Sequence, residues 1–397
     1  MSGLAELSGV RWRFTADRPL TRGPVAAGDL LVVTDVEGGV YALDPASGEV
    51  RWRHRHRYPT GGVIAAGEWV LVDDGGDLWV HDRSTGRLAA DDVLRVATGI
   101  PLSVTGDVLL LLDGLDHDLR AVDLRSETEL WRTGRTLLRA PVAVGDGVVV
   151  GAWPWEGNSV QGGLQGFDLA TGEPLWFVDG TFDEPEDDAL EDDEYWEESA
   201  LFDPFHPVIS GGQVLITRMR LREDESGSRT RCELAAFDPR TGRETGMWIV
   251  GPAEGARACC AVGCAAEGLA YLIVAEAQDA SFFIGGHRGC GGDPRLTAID
   301  PRGGRVAWTR GLDSYPMGPP VPADGLIYAF TGDGVVHCFD APTGEPRWLF
   351  TAEERAGRSA GRVWDDWGED AAEEPPRLLP ADGVLYAQTA TSLYALE

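Results

Sequence analysis

The stretch Val40-Tyr41-Ala42-Leu43-Asp44-Pro45-Ala46-Ser47-Gly48-Glu49-Val50-Arg51-Trp52 decides the fold, because the chain repeats it along its length. Tyr41 and Leu43 alternate with their neighbours, which predicts a half-buried strand. Asp44 can accept the backbone N–H two residues on, and Gly48 can take a positive φ, so the pair predicts a tight turn. The chain then returns in a second strand that ends in Trp52. The phrase is therefore a β-hairpin.

The Asp of this phrase recurs from one end of the chain to the other, which indicates a repeat architecture. The full copies place it at Asp44, Asp82, Asp123, Asp168, Asp238, Asp300 and Asp340. An eighth copy begins at Leu393-Tyr394-Ala395-Leu396-Glu397 and stops, whereas Ser8-Gly9-Val10-Arg11-Trp12 supplies its second half. We therefore expect the two ends of the chain to pair as strands of one unit.

A Trp follows the Asp at a fixed distance in most copies, as a large flat side chain between neighbouring sheets would require. The residues expected to be structural in this way, including the one in the split copy, are Trp12, Trp52, Trp131, Trp176, Trp308 and Trp348. Two copies depart, because Ala90 stands at the Trp position of the second and Trp248 comes two residues late in the fifth. The second and fifth units are expected to be the least regular.

Another hairpin precedes each phrase, as in Pro24-Val25-Ala26-Ala27-Gly28-Asp29-Leu30-Leu31-Val32-Val33. Four short strands per unit form one blade of a β-propeller. The chain is therefore predicted to be all-β. We expect a single eight-bladed β-propeller of four-stranded antiparallel blades, one domain over residues 1–397, closed by its N- and C-terminal strands in one blade.

The phrase resembles the pyrroloquinoline-quinone-like (PQQ-like) repeat, whose docking motif reads Ala-x-Asp-x-x-Thr-Gly-x-x-x-Trp, and the resemblance covers nearly the whole chain. That family contains quinoprotein alcohol dehydrogenases, which hold PQQ and calcium, and a non-enzymatic propeller lipoprotein of the outer-membrane barrel assembly machine. The dehydrogenases use an amide ligand for calcium, whereas Asn158 is the only asparagine here. The resemblance favours a scaffold member without a cofactor, with PQQ and calcium as the alternative.

The chain has a formal net charge of −31, and all its basic side chains apart from histidine are arginines. Such acidity argues against nucleic acid and anionic membrane surfaces as partners. It favours a cationic partner, although solubility alone would also explain it. No apolar run is long enough to span a membrane, and Met1-Ser2-Gly3-Leu4-Ala5-Glu6-Leu7 is neither basic nor apolar, so a cytoplasmic location is expected.

Long insertions fall between the phrases, whereas the turns inside them stay short. Because strands alternate in direction, the long connections are expected to share one face of the propeller, the decorated face. Its expected features are inserts at about 179–206, 276–294 and 351–377, the loop Arg218 to Arg231, and the segments Arg53 to Tyr58 and Trp153-Pro154-Trp155.

Two of these inserts combine carboxylates with aromatic residues. The acidic insert at about 179–206 is interpreted as a solvated loop, or as a short helix or lid that carries Tyr195, Trp196, Leu201, Phe202 and Phe205. The insert at about 351–377 is interpreted as a recognition element with two exposed Trp, or as a plug folded back on the propeller. The candidate partner-binding residues are Trp153, Trp155, Tyr195, Trp196, Trp364, Asp365, Asp366 and Trp367.

Two groups of residues have partial metal-ligand character. His54 and His56 would face the same side of a strand, but nearby arginines oppose a cation, so we expect solvated edge residues. The weak candidates Cys259, Cys260, His287 and Cys290 could supply zinc or copper ligands near the propeller mouth, yet their spacing is not Cys-x-x-Cys. Unligated thiols are expected there, with a quinone contact as the third interpretation, and no metal is favoured.

No catalytic residue stands out above the acidic background. The sequence favours a binding propeller that recognises a protein, peptide or small molecule through the decorated face. The alternative is a redox or tailoring enzyme with its site at the same face and the channel mouth.

Overall fold

The computed structural model describes residues 9–21, 23–58, 60, 62–73, 78–89, 99–113, 118–135, 142–153, 163–179, 199–202, 207–224, 227–250, 258–276, 294–314, 316, 318–354 and 377–397. These residues form 32 strands. The described ranges hold no helix that could cross a membrane. The chain divides into two compact units, residues 1–136 with 314–397 and residues 137–313.

Blade eight lies in the first unit and joins both ends of the chain. Its strand β1 (Val10–Thr15) pairs with β32 (Ser392–Leu396), which is followed across the sheet by β31 (Val384–Gln388) and β30 (Leu378–Ala381). Trp12 stands opposite Ala395, and Phe14 stands opposite Leu393. The split eighth copy is therefore confirmed.

The same unit contains four further blades. Blade one is β2 (Val25–Ala27), β3 (Leu30–Thr34), β4 (Gly39–Leu43) and β5 (Val50–Arg55). Blade two is β6 (Gly62–Ala66), β7 (Trp69–Asp73) and β8 (Leu78–Asp82). Blade three is β9 (Ile100–Thr105), β10 (Val108–Leu112), β11 (Asp118–Asp123) and β12 (Thr128–Arg135). Blade seven is β26 (Val321–Ala323), β27 (Leu326–Phe330), β28 (Val335–Asp340) and β29 (Pro346–Thr351).

The second unit contains blades four, five and six. Blade four is β13 (Ala143–Gly145), β14 (Val148–Trp153), β15 (Gly163–Asp168) and β16 (Pro174–Asp179). Blade five is β17 (Ser199–Phe202), β18 (Val208–Ser210), β19 (Gln213–Asp224), β20 (Gly227–Phe237) and β21 (Glu244–Ile249). Blade six is β22 (Ala258–Ala266), β23 (Leu269–Glu276), β24 (Arg295–Asp300) and β25 (Arg305–Gly311). The predicted all-β fold of an eight-bladed β-propeller is confirmed; its treatment as one domain stays a prediction.

Blade five is irregular, as its displaced tryptophan predicts, whereas the residues that follow Ala89 in blade two lie outside the described ranges and its irregularity stays a prediction. Blade two has three described strands, with Leu88 bridging His81, and blade five has five. Two expectations for blade five are wrong. The predicted loop Arg218 to Arg231 is an extension of the β19–β20 hairpin, and Leu201 and Phe202 lie in β17, which pairs with β19, rather than in a helix or lid. Arginines that alternate along a segment are typical of a loop, but here they belong to two inner strands of the sheet.

The hydrophobic core lies in layers between adjacent blades of each unit. Val32 of β3 packs toward blade two with Val70, whereas Leu31 and Val33 of the same strand pack with Tyr386 of blade eight. All five residues of β4 are buried as well. The expectation of half-buried strands is therefore wrong, because stacked sheets cover both faces of the inner strands.

The Asp of each phrase shapes the turn that follows it. Its carboxylate accepts a hydrogen bond from a backbone N–H two or three residues later in all seven full copies. The N–H of Ser126 and its hydroxyl lower the pKa of Asp123, which is ionised at neutral pH. The residues with this role are Asp44, Asp82, Asp123, Asp168, Asp238, Asp300 and Asp340.

A tryptophan of one blade lies on this turn in the next blade. The Nε1–H of Trp52 in β5 donates a hydrogen bond of 2.7 Å to the carbonyl of Arg83, which follows Asp82 in blade two. The indole covers Gly86, where an added Cβ would overlap the ring. The same contacts join Trp12 to Pro45 and Gly48, and Trp176 to Pro239 and Gly242.

The Trp of blade five, which comes two residues late in the phrase, also covers the turn of the next blade. A Cβ added at Gly304 in blade six would overlap Trp248, so the indole covers that turn as well. Gly246 stands at the usual Trp position, and a Cβ there would overlap the same ring. The glycine therefore leaves the space that the displaced indole needs. Of the other predicted structural residues, Trp131 and Trp308 are buried and Trp348 is partly buried.

Gly86→Ala tests the contact between blades one and two. Gly86 has φ +68° and lies under Trp52, whereas Gly67 has φ +59° with no atom within 4 Å of an added Cβ. Gly67→Ala should lower the free energy of unfolding by about 1–2 kcal/mol through backbone strain alone. Gly86→Ala should lower it by about 2–5 kcal/mol, because the methyl also displaces the indole. Urea unfolding followed by Trp fluorescence measures both, and equal losses would contradict the contact.

Removal of residues 392–397 tests the closure of blade eight. It deletes β32, including the buried Leu393 and Leu396, and exposes the edges of β1 and β31. The free energy of unfolding should fall by at least about 5 kcal/mol, since each buried Leu lost costs about 2–5 kcal/mol. Removal of the exposed Glu397 alone is the control and should change the melting temperature little. A full deletion that melts like this control would contradict the closure.

Candidate functional site

The last strand of a blade forms the edge of its sheet, and its residues alternate between two faces. Trp12 and Trp52 point to the next blade, so the residues on either side of each Trp point the other way. In blades eight and one these flanking positions are arginines, namely Arg11, Arg13, Arg51 and Arg53. Charged side chains on an edge strand oppose pairing with another chain.

Blades four and five carry apolar residues at the same flanking positions. In β16, Leu175 is 36% exposed and Phe177 is 53% exposed, on either side of Trp176. In β21, Met247 is 37% exposed and Ile249 is 56% exposed, on either side of Trp248. Both strands are edges of their sheets and both belong to the second unit. We call these four residues the apolar edge.

A buried ion-pair network fixes β21 to the rest of blade five. Arg218 of β19 is 4% exposed and donates from Nε to Glu233 of β20 and from Nη1 to Glu244 of β21, each at 2.8 Å. Burial acts to lower the pKa of Arg218, but the hydrogen bonds to Glu244 and Glu233 outweigh it and the pKa is raised. The guanidinium therefore stays charged and ties three strands together at the start of the apolar edge.

The acidic insert at about 179–206 connects blades four and five along the sequence. It leaves the chain at the end of β16 in blade four and returns in β17, which pairs with β19 of blade five. Ser199 stands opposite Leu221, and Phe202 stands opposite Arg218. The insert is therefore attached at one end to each of the two blades that carry the apolar edge.

Three imidazoles meet between blades one and two. His54 and His56 follow Trp52 along the edge of blade one, and His81 lies in β8 of blade two. Their ligand nitrogens all lie within 4.8 Å of one another, and Nε2 of His56 is 2.9 Å from Nε2 of His81. His56 is 6% exposed, His81 is fully buried, and His54 is half-buried. We call these residues the histidine cluster.

Burial favours the neutral forms of the His56 and His81 imidazoles. Burial lowers the pKa of His56 to about 4, with smaller contributions from His81 and His54. Burial also lowers the pKa of His81, although its hydrogen bond to Gly86 acts in the opposite direction. Nδ1 of His81 lies 3.0 Å from the carbonyl oxygen of Gly86, which can only accept, so the proton is on Nδ1. Nε2 of His81 therefore presents a lone pair to His56.

The expectation that His54 and His56 are solvated edge residues is wrong for the buried His56. Side chains alternate along the strand, so both imidazoles face blade two while Arg51, Arg53 and Arg55 face away. His81 was missed by sequence reasoning, although a signal exists. The residue before the phrase Asp is apolar in every other full copy, as in Leu43, Val122, Phe167, Phe237, Ile299 and Phe339.

Most sequence-predicted site residues lie outside the described ranges. These are Trp155, Tyr195, Trp196, His287, Cys290, Trp364, Asp365, Asp366 and Trp367. Trp153 ends β14, and Cys259 and Cys260 lie in β22 opposite Ala275 and Val274, with only their backbones described. Their predicted roles, including unligated thiols for the cysteine pair, stay predictions.

The family model described as outer membrane protein assembly factor BamB matches residues 3–115 and 292–397, more than half of the chain. The chain belongs to this family. The predicted PQQ-like resemblance is confirmed. The solved structure of BamB from Moraxella catarrhalis covers 100% of both chains with a TM-score of 0.59 at 14% identity, a likeness of fold alone.

Two curated relatives are 26% identical to this chain. Serine/threonine-protein kinase AfsK of Streptomyces griseus matches over 353 residues, 87% of this chain and 32% of the kinase. BamB of Burkholderia pseudomallei matches over 185 residues, 42% of this chain and 46% of that protein. The chain thus spans about a third of the length of the kinase and less than half of the length of BamB.

Proposed function

We propose that this protein is an interaction propeller that binds an extended segment of another protein along the apolar edge of blades four and five. The observation that carries the proposal is the exposure of Leu175, Phe177, Met247 and Ile249 on two edge strands. Edge strands offer backbone hydrogen bonds to an added strand, and alternate side chains supply specificity. The matching positions of blades eight and one hold arginines, which discourage such pairing.

Family membership supports a role in protein interaction. Two of the similar proteins are named as BamB, an assembly factor, and assembly requires contact with other proteins. The net charge of −31 favours a partner segment with basic residues beside its apolar ones, because opposite charge speeds encounter.

Variants of the apolar edge test the proposal. A photoreactive phenylalanine analogue at 177 or 249 should cross-link to the same partner in cells, whereas the analogue at 306 should not. Val306 is the control because it is 47% exposed on the outer strand of blade six. The partner segment, once identified by mass spectrometry and synthesised, is titrated calorimetrically into purified variants.

Replacing each pair, Leu175→Ser with Phe177→Ser or Met247→Ser with Ile249→Ser, should weaken that binding by at least about tenfold, since apolar anchors of an interface cost about 1–2 kcal/mol or more when lost. Val306→Ser should bind like the wild type. Equal cross-linking at all three positions, or unchanged affinity in both double variants, would refute the apolar edge as the contact.

The decorated face is proposed to add a second part of the interface. The inserts at 179–206 and 351–377 supply the aromatic anchors Trp196, Trp364 and Trp367, set in acidic sequence. The first insert connects the two blades of the apolar edge along the chain, since it follows β16 and precedes β17. Aromatic anchors would supply affinity and the carboxylates would speed association.

Replacing residues 180–198 and 355–376 by short Gly-Ser linkers should abolish binding of the same segment, because both sets of anchors are lost. The propeller should stay folded, because the strands on either side of each replacement remain. The association rate of the wild type should also fall as salt is added. Normal binding by a folded double replacement would contradict a role for the decorated face.

A further inference from the structure

We propose that His54, His56 and His81 bind a divalent transition-metal ion, with zinc as the best fit, at the contact between blades one and two. This site is independent of the proposed protein-binding surface, and it departs from the expectation that the chain binds no metal. Imidazole nitrogen suits zinc, copper and nickel. Three protein ligands and an open fourth position are typical of zinc sites that bind water or a further ligand.

The spacing of the imidazoles fits a single ion. Zinc–nitrogen bonds of about 2.0–2.1 Å in tetrahedral geometry place ligand nitrogens about 3.4 Å apart. In the histidine cluster the shortest separation is 2.9 Å, and none exceeds 4.8 Å. Small side-chain rotations therefore bring all three nitrogens to bonding distance.

The tautomer of His81 is already that of a metal ligand. Its Nδ1–H donates to the carbonyl of Gly86, which leaves the lone pair of Nε2 directed into the cluster. A ligand histidine usually donates its other N–H in this way, which fixes the ring and raises its basicity. His56 needs only to carry its proton on Nδ1 for its own Nε2 to become a ligand.

Aromatic rings hold the ligands in place. Trp52 stacks on His81 with ring centroids 6.0 Å apart, and Trp79 lies 5.4 Å from His56. Rotamers locked by packing give a site the preorganisation that metal binding needs. His54 is half-buried, so it gives an ion a route from solvent.

The arginines of β5 do not oppose a cation here. They alternate with the histidines and lie on the other side of the strand. Arg51 pairs with Asp44, and Arg55 lies 3.2 Å from Glu37. The charges of Arg51 and Arg55 are thus paired on the face away from the cluster.

A bound ion would join the edge of blade one to blade two. Blade two lacks the phrase Trp, because Ala90 stands in its place, and it has three described strands. A metal that links His54 and His56 to His81 therefore adds a connection between blade one and blade two, the blade without the phrase Trp. Its expected effect is stabilisation of the folded chain.

The test uses the full chain, stripped with chelator, desalted, and titrated with zinc chloride by calorimetry. The wild type should bind one equivalent, and zinc should raise its melting temperature. His54→Gln and His56→Asn should each weaken binding by at least about tenfold, since even the loss of a group that only hydrogen-bonds to a metal ligand costs about 10–100-fold. Arg53→Ser, on the opposite face of the same strand, should bind like the wild type.

Two further measurements separate this site from the thiols and from misfolding. The Cys259→Ser/Cys260→Ser variant should keep the bound equivalent, and cobalt added to the wild type should give visible bands without thiolate charge transfer. The metal-free His54→Gln chain should melt like the metal-free wild type, which shows that it folds. The proposal is overturned if the wild type binds no equivalent of zinc, or if binding survives both histidine substitutions, or if it is lost in the cysteine variant.

Discussion

The indole of one blade on the Asp-shaped turn of the next is the contact on which the structure depends. It uses three residues of the phrase at once, because Asp82 shapes the turn, Gly86 lets the ring approach, and Trp52 arrives from the preceding blade. Blades eight, one, four and five each hold the next blade at the turn that the next blade needs for its own hairpin. The contact also forms in blade five, where the Trp comes two residues late. Trp248 still covers Gly304, and Gly246 leaves the space that the indole needs.

Because this contact uses one face of the outer strand, the opposite face can vary between blades. Arg51 and Arg53 occupy it in blade one, whereas Met247 and Ile249 occupy it in blade five. The buried Arg218–Glu233 pair joins β19 to β20 in the same blade as this exposed strand. A repeated scaffold can in this way present a local binding surface without a change of fold.

The fold could be predicted because the phrase repeats, so each copy supports the assignment of the others. The candidate site residues do not repeat along the chain, so no other copy supports their assignment. The β19–β20 extension was taken for a loop although Thr217, Met219 and Leu221 alternate with arginines. His81 was missed because its chemistry depends on His56, a residue of another blade, and sequence spacing does not reveal contacts between blades. The apolar edge is identified only when the residues beside each Trp are compared across the copies. That comparison also requires the exposure of these residues, which the structure supplies.

The pairing of β1 with β32 has a consequence for synthesis. The strand at Val10–Thr15 is made long before its partner at Ser392–Leu396. At about 10 residues per second, β1 waits roughly forty seconds as a free edge. Arg11 and Arg13 place charge on that strand, and charged side chains discourage an edge strand from pairing with another chain.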